Sequence, residues 1–554
     1  MTSWFQPRSC KMWLAASFLM VAEFLVFDRM TSRHHAGIFP QWTDQVYYLT
    51  DAYLGYEDAK AHGLIHGLRT TLLNTMPQGA LHDVAALVIF TVAGGPSRSA
   101  ALSLNMLAFL LWQAALFHAF ARTSGSWALG WMVFGLLPCL AWPWATGAGA
   151  AMDFRLDHGA MCLFGTCAAF ALLTRGFRSL GWSVALGFVL CLTLLERFLT
   201  AVYLGPLFIL TAGWVLCGGE RGPRLRNLLL AALIAAALAG PVFWWNRALL
   251  REYYWVGQVS SAEAAARLPG FTSGQSLQFL YSCLKDQQLG IWFLWTTVAV
   301  TVPWLALAMW PRRPVSPKPA PRTDWDWLFF SVVFFLVPAL ILHLHQQKSH
   351  AVLGVLVPGV ILLLGWIWSV LWPRAARGAG PGPIGRLCLE APLLLALFSG
   401  ALFFAERQVA PPYGPSFSEG ARRINWLADY FFDHTRAAHL PVARIGVDQM
   451  TDKFDANLMR VISYERKKVW MPYEILLPTG ILEVDDHVIM DRLHQCDFVL
   501  VTDVPVDAGQ WPYDRQMHRL YPTVKAWCEA NLRLVETFPA FNGWMTLYQR
   551  RDIP

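Results

Sequence analysis

Two short stretches set carboxylates against long apolar runs. "FPQWTDQVYYLT", residues 39–50, places Asp44 among aromatics just beyond the first apolar run. "AMDFRLDHGAMCLFG", residues 151–165, holds Asp153 and Asp157, the only acids between Val84 and Leu195. Acids at a membrane edge are expensive to place, and a carboxylate near a hydroxyl can take its proton as that oxygen attacks an electrophile. Asp51, Glu57 and Asp58 follow Asp44 in the same stretch. Each acid alone also has a plain structural reading. Loop acids are solvated or cap helices: a helix could start at Thr43 or Asp44, and Asp157 could cap the apolar run that follows it.

The elements that must position these groups follow from composition. The chain has 554 residues, 55% of them hydrophobic and only 15% charged, with 27 Trp. Soluble proteins carry about a quarter charged residues, so this composition specifies a polytopic membrane protein. About 20 apolar residues cross a bilayer. On that scale about eleven spans are expected, at 11–27, 99–121, 126–146, 158–174, 180–196, 198–217, 227–245, 290–310, 327–343, 351–372 and 387–405. Residues 78–95 are short and carry His82 and Asp83, and are expected to form an interfacial helix. The net charge of +7 does not point to nucleic acid. Arg8 and Lys11, Arg122, Arg175 and Arg178, Arg221 to Arg226, Arg312 to Arg322 and Arg374 to Arg386 all fall on one face, which is then cytoplasmic. Asp44, Asp153 and Asp157 fall on the opposite face.

After about Arg407 the composition becomes that of a soluble domain. The expected division is a membrane body over 1–410 and an extracytoplasmic α/β domain over 411–554. Within the latter, helices are expected over "SEGARRINWLADYFFDHT" and "DKFDANLMRVISY", strands over "ARIGV" and "DFVLVT", and a hairpin over "LRLVETFP" and "GWMTLYQRR". Cys496 and Cys528 there could pair in an oxidising compartment. Residues 246–289 form a second large loop on the same face, with Tyr253, Tyr254 and Trp255 suited to the interface or to stacking on a sugar. An exposed helix is expected over "SSAEAAAR" in that loop. His62 and His66 have the i, i+4 spacing of a metal-binding helix face, without the Glu of the zinc-protease pattern. No phosphate-binding glycine loop occurs, which leaves nucleotide-driven transport without support.

Several stretches, in order, resemble the GT-C glycosyltransferases, in the branch of bacterial aminoarabinose transferases and protein O-mannosyltransferases. They are Asp44-Gln45 after the first span, "TMPQGALHDVAALVIFTVAGGPSR", "FRLDHGAMCLFGTCAAFALLTR", "GWSVALGFVLCLTLLER" and "HLHQQKSHAVLGVLVPGVILLL". The likeness covers roughly residues 10 to 405. It departs at Gln45, where the family often has Glu, and at the single Pro77 where it often has two. The resemblance implies sugar transfer from a polyprenyl phosphate to a lipid, glycan or protein acceptor at the extracytoplasmic face of a bacterial inner membrane. It implies Asp44 as general base, with Asp157 as the second family acid, and Arg197 and Lys348 as ligands of the donor phosphate. Asp153, Arg155, His158 and Tyr253 are then expected near the substrates, and Asp153 with Asp157 could hold a divalent cation. Taken singly, Arg197 and Lys348 also read as side chains snorkelling to the interface, and His158 as a core residue. A lipid-linked glycan ligase or polymerase, or a secondary transporter, remains the alternative.

Overall fold

The structure, a computed structural model, describes residues 7–34, 38, 40, 43–74, 76–145, 149–260, 272–309, 325–345, 349–379, 383–409, 415–447, 456–470, 473–475, 482–502, 512–540 and 543–554. Lys348 and the "SSAEAAAR" helix from its second residue on lie outside these. Among the described residues nine helices are long and apolar enough to span a bilayer. They include α1 (Pro7–His34), α5 (Arg98–Ser124), α7 (Leu156–Leu173), α9 (Thr200–Cys217) and α10 (Arg221–Trp245). Later spans lie within Ser273–Met309, Trp325–Leu344, His350–Ala379 and Leu387–Val409. Two of the expected eleven are shorter: α6 (Trp127–Leu136), extended by a 3-10 turn to Cys139, and α8 (Leu180–Glu196). At 1.5 Å per residue the 17 residues of α8 rise roughly 26 Å, close to the thickness of the hydrocarbon core. The chain is a polytopic α-helical membrane protein with a small C-terminal α/β unit.

Successive helices alternate in direction, so their ends form two charged layers. In one layer Asp326, opening the Trp325–Leu344 helix, accepts from Arg178 Nη1 at 2.6 Å, Trp214 Nε1 at 2.8 Å and Arg224 Nη2 at 3.3 Å. In the opposite layer lie α2 (Thr43–His62), α3 (Leu64–Leu73), α4 (Leu81–Ala93), the turn 149–155 and the C-terminal unit. The 13-residue α4 is the helix expected over 78–95, and it is too short to cross.

The C-terminal unit is a five-stranded sheet in the order β2-β1-β3-β5-β4, with β1 Ala443–Val447, β2 Tyr473–Ile475, β3 Phe498–Thr502, β4 Arg533–Ala540 and β5 Gly543–Gln549. β2, β1 and β3 run parallel, and β5 joins antiparallel to β3 and β4. Every residue of β3 is buried, as suits a central strand covered on both faces. The strands expected at "ARIGV" and "DFVLVT" and the terminal hairpin are where the sequence put them. β2 and the helices Asp486–His494 and Pro512–Asn531 were not anticipated. Cys496 and Cys528 stand as thiols in one buried cluster of this unit, without the disulfide considered for them.

Charge holds this unit to the membrane body. Glu465, on the helix Ala456–Lys467, accepts from Arg98 Nη2 at 2.7 Å and from Tyr53 Oη at 2.8 Å. Tyr464, its neighbour, donates to Glu57 at the far end of α2. Arg98 is 5% exposed, so removing its carboxylate strands a buried cation, at a cost of about 3–5 kcal/mol. Glu465→Ala is therefore expected to lower the unfolding midpoint and expose the C-terminal unit to limited proteolysis. Wild-type resistance in that variant would show that other contacts hold it.

Candidate active site

The turn before α7 is fixed by its backbone. Gly149 sits at φ +82°, which a side chain disfavours, and a Cβ there would stand 3.0 Å from the Cβ of Asp157. Its N–H donates to Asp153 Oδ2 at 2.6 Å. Asn105 of α5 donates to the carbonyls of Ala151 at 3.0 Å and Asp153 at 2.8 Å. Arg155 follows in an extended conformation as the N-cap of α7, and Asp157 lies in the first turn of that helix.

Asp157 is not the cap that its position suggested. It is the centre of an ion cluster. Arg155 lies with Nη2 3.0 Å from Asp44 Oδ2, and with Nε 3.3 Å from Asp157 Oδ2 and 3.9 Å from Asp153 Oδ2. Arg197, the C-cap of α8, pairs with the other oxygen of Asp157. The start of α2, the turn 149–155, the first turn of α7 and the end of α8 therefore meet at five charged side chains. Asp44 is 57% exposed and Asp157 only 1%, so the cluster runs from an open mouth into a buried floor.

Beneath the cluster lies a pair that the sequence reading did not single out. His82 Nδ1 is 2.9 Å from Glu196 Oε1, both side chains buried. Glu196 directly precedes Arg197, and the His82 ring packs on Phe154, directly before Arg155, at 4.4 Å. The 78–80 segment pairs with the end of α8: Ala80 N–H donates to Leu195 O at 2.7 Å and Phe198 N–H to Gln78 O at 2.9 Å. Gly159 makes room for the acid, since a Cβ there would stand 2.1 Å from Glu196 Oε1. The available signal was an acid at the end of the apolar run "TLLER".

Burial pushes the Asp153 carboxyl up to about 7, although the Arg155 guanidinium and the Gly149 amide both pull it back. Tyr48 is buried within the fields of Arg197 and Arg155, and burial holds its phenol well above the usual range. Tyr253, half-buried on the segment Arg251–Ser260, lies within electrostatic reach of Arg155 and Tyr48, and its ring meets Tyr254 edge-on at 4.9 Å. His158 is placed differently. It is fully buried in α7 with Nε2 3.6 Å from Cys162 Sγ, a core position away from the cluster's open mouth. The cationic partners of Asp153 and Asp157 among the described residues are Arg155 and Arg197.

A cleft opens beside Asp157 and Arg197, its other walls including Met161, Leu199, Tyr203 and Val352. One end of this small cleft is charged and its lining is mostly apolar.

No family model and no curated protein matches the chain. Among solved structures it is similar to ArnT from Cupriavidus metallidurans in the apo state, with a TM-score of 0.57 and 13% identity over 98% of this chain and 98% of that one. It is also similar to the same protein bound to undecaprenyl phosphate, with a TM-score of 0.53 and 13% identity over 96% of this chain and 97% of that one. The GT-C resemblance read from the sequence is borne out as a shared fold.

The raised Asp153 carboxyl has a consequence for stability. Its folded pKa of about 7 lies above the ordinary value of 3.8, so the folded state binds the proton more tightly than the unfolded chain. Stability from this group is then greatest at low pH and is lost as pH rises from about 4 through 7. The unfolding midpoint of Asp153→Asn, relative to wild type, should rise between pH 5 and pH 8. A difference that stays constant across that range would mean that Asp153 titrates normally.

Proposed function

We propose that the protein is a membrane glycosyltransferase that moves a sugar from a polyprenyl-phosphate donor to an acceptor hydroxyl at the extracytoplasmic face. The observation that carries this reading is the cleft whose charged end is Asp157 with Arg197 and whose walls are apolar. A polyprenyl phosphate likewise joins an anionic head to an apolar chain, and the similar ArnT has been solved with undecaprenyl phosphate bound. The side is inferred from charge. The connections around Asp326 carry Arg175, Arg178, Arg221, Arg224 and Arg226, and such ends face the cytoplasm. The ion cluster and the C-terminal unit then face the other compartment, in a bacterium the space outside the inner membrane.

The chemistry follows from the exposure gradient. The donor phosphate enters beside Arg197, and Lys348 is placed by the sequence resemblance to add a second cation. The acceptor approaches at the open mouth, where Asp44 is solvent-accessible and held by Arg155. The acceptor oxygen bonds to the anomeric carbon while its proton passes to Asp44. The bond from that carbon to the phosphate oxygen breaks, its electron pair leaves with the phosphate, and Arg197 stabilises the developing charge. Asp157 keeps Arg197 oriented between turnovers. Arg155 becomes free to approach the phosphate when Asp44 turns to the acceptor. Tyr253 stands where a sugar ring could pack, and Asp153 fixes the turn that carries Arg155.

Asp44→Asn should retain donor binding and lose roughly 10²–10⁴-fold in turnover, the usual scale of general-base catalysis. Arg197→Ala should instead weaken donor binding, with partial recovery in Arg197→Lys if charge alone is needed. The assay is sugar release from a purified polyprenyl-phosphate donor, alongside equilibrium binding of that donor. Near-wild-type turnover by Asp44→Asn under chemistry-limited conditions would remove its role and favour a ligase that relies on basic residues.

A further inference from the structure

α2 and α3 form a hairpin folded at Gly63, whose φ of +97° lies in the left-handed region. Its two legs are in direct contact. A Cβ at Gly67 would stand 2.4 Å from Ala59 Cβ and 2.7 Å from Ala59 Cα, and one at Gly55 would stand 2.8 Å from Thr71 Oγ1. Glycine at these positions lets the legs close, and closing them gathers three ligating side chains. Asp58 and His62 come from α2 and His66 from α3, so the i, i+4 histidines do not share one helix as their spacing suggested.

The three side chains are close enough together to be drawn onto one ion. His62 Nδ1 is 2.8 Å from Asp58 Oδ1, and His66 Nε2 is 3.7 Å from Asp58 Oδ2. Ligating atoms from the three residues all lie within 4.8 Å of one another. Two ligands bonded at about 2.0 Å to a tetrahedral zinc are separated by roughly 3.3 Å, so small side-chain rotations close the set. Thr70 of α3 donates its hydroxyl to Asp58 Oδ2 at 2.7 Å, orienting the carboxylate from outside the ligand set. Two imidazoles and one carboxylate select a borderline transition metal over calcium or magnesium. The cluster is partly exposed, which leaves a fourth position for water.

We propose that Asp58, His62 and His66 bind a divalent transition metal of the zinc type, which staples α2 to α3. This site lies at the opposite end of α2 from Asp44 and is independent of the glycosyltransferase reading. The staple would fix the far end of the helix whose first turn enters the ion cluster.

The test uses full-length protein in detergent, freed of metal with a chelator and titrated with Co²⁺, whose visible spectrum reports tetrahedral coordination, followed by Zn²⁺ competition. The expected result is one Co²⁺ per chain, displaced by Zn²⁺. His62→Ala and His66→Ala should each weaken binding roughly 100-fold or more, and Thr70→Val roughly 10–100-fold. The chain has 15 His, so the double variant H62A/H66A, folded as judged by an unchanged metal-free unfolding midpoint, provides the control. Undiminished binding by that double variant, or no uptake of Co²⁺ by the wild type, would overturn the proposal.

Discussion

The requirement that no charge be left alone at the membrane edge organises one end of this protein. Asp157 is buried, and it is held by guanidinium groups that arrive from both sides. Stripping one partner from a buried ion pair costs several kcal/mol, far more than a surface pair gains. The four chain segments that supply the cluster are therefore constrained to end where they do. Gly149 turns the chain so that Arg155 can enter, Asn105 pins that turn to α5, and Gly159 leaves space for Glu196 under Arg197.

Support reaches the cluster by two further routes. From below, His82 links α4 to Phe154 and Glu196, the sequence neighbours of the two arginines. From above, the C-terminal unit grips α2 and α5 through Glu57, Tyr53 and Arg98. α2 is the shared member, with Asp44 in its first turn and Glu57 near its last. A helix fixed at one end by the C-terminal unit and at the other by Arg155 can present a carboxylate at a constant depth. Under the proposed function, that constancy is what Asp44 would need as the base.

Much of this was legible in the sequence for identifiable reasons. The spans declared themselves by apolar length, and β1, β3 and the terminal hairpin by alternation and β-branched content. Asp44 and Asp157 stood out as acids near the ends of apolar runs, and Arg155 and Arg197 came with the family resemblance. A capping role for Asp157 stayed open because position alone cannot tell whether a carboxylate faces backbone amides or a guanidinium. The pairs His82–Glu196 and Arg98–Glu465 join residues 114 and 367 positions apart, and only packing brings them together. β2 was missed because three residues give no period to read.

The proposed function requires the cleft beside Arg197 to hold the phosphate of a polyprenyl donor. The most direct measurement is the experimental structure of the protein with a polyprenyl phosphate bound. Phosphate oxygens are expected within hydrogen-bond distance of the Arg197 guanidinium, about 2.7–3.2 Å, with the isoprenoid chain running along Leu199, Tyr203 and Val352. A phosphate bound elsewhere, with Arg197 still closed on Asp157 and the cleft empty, would contradict it.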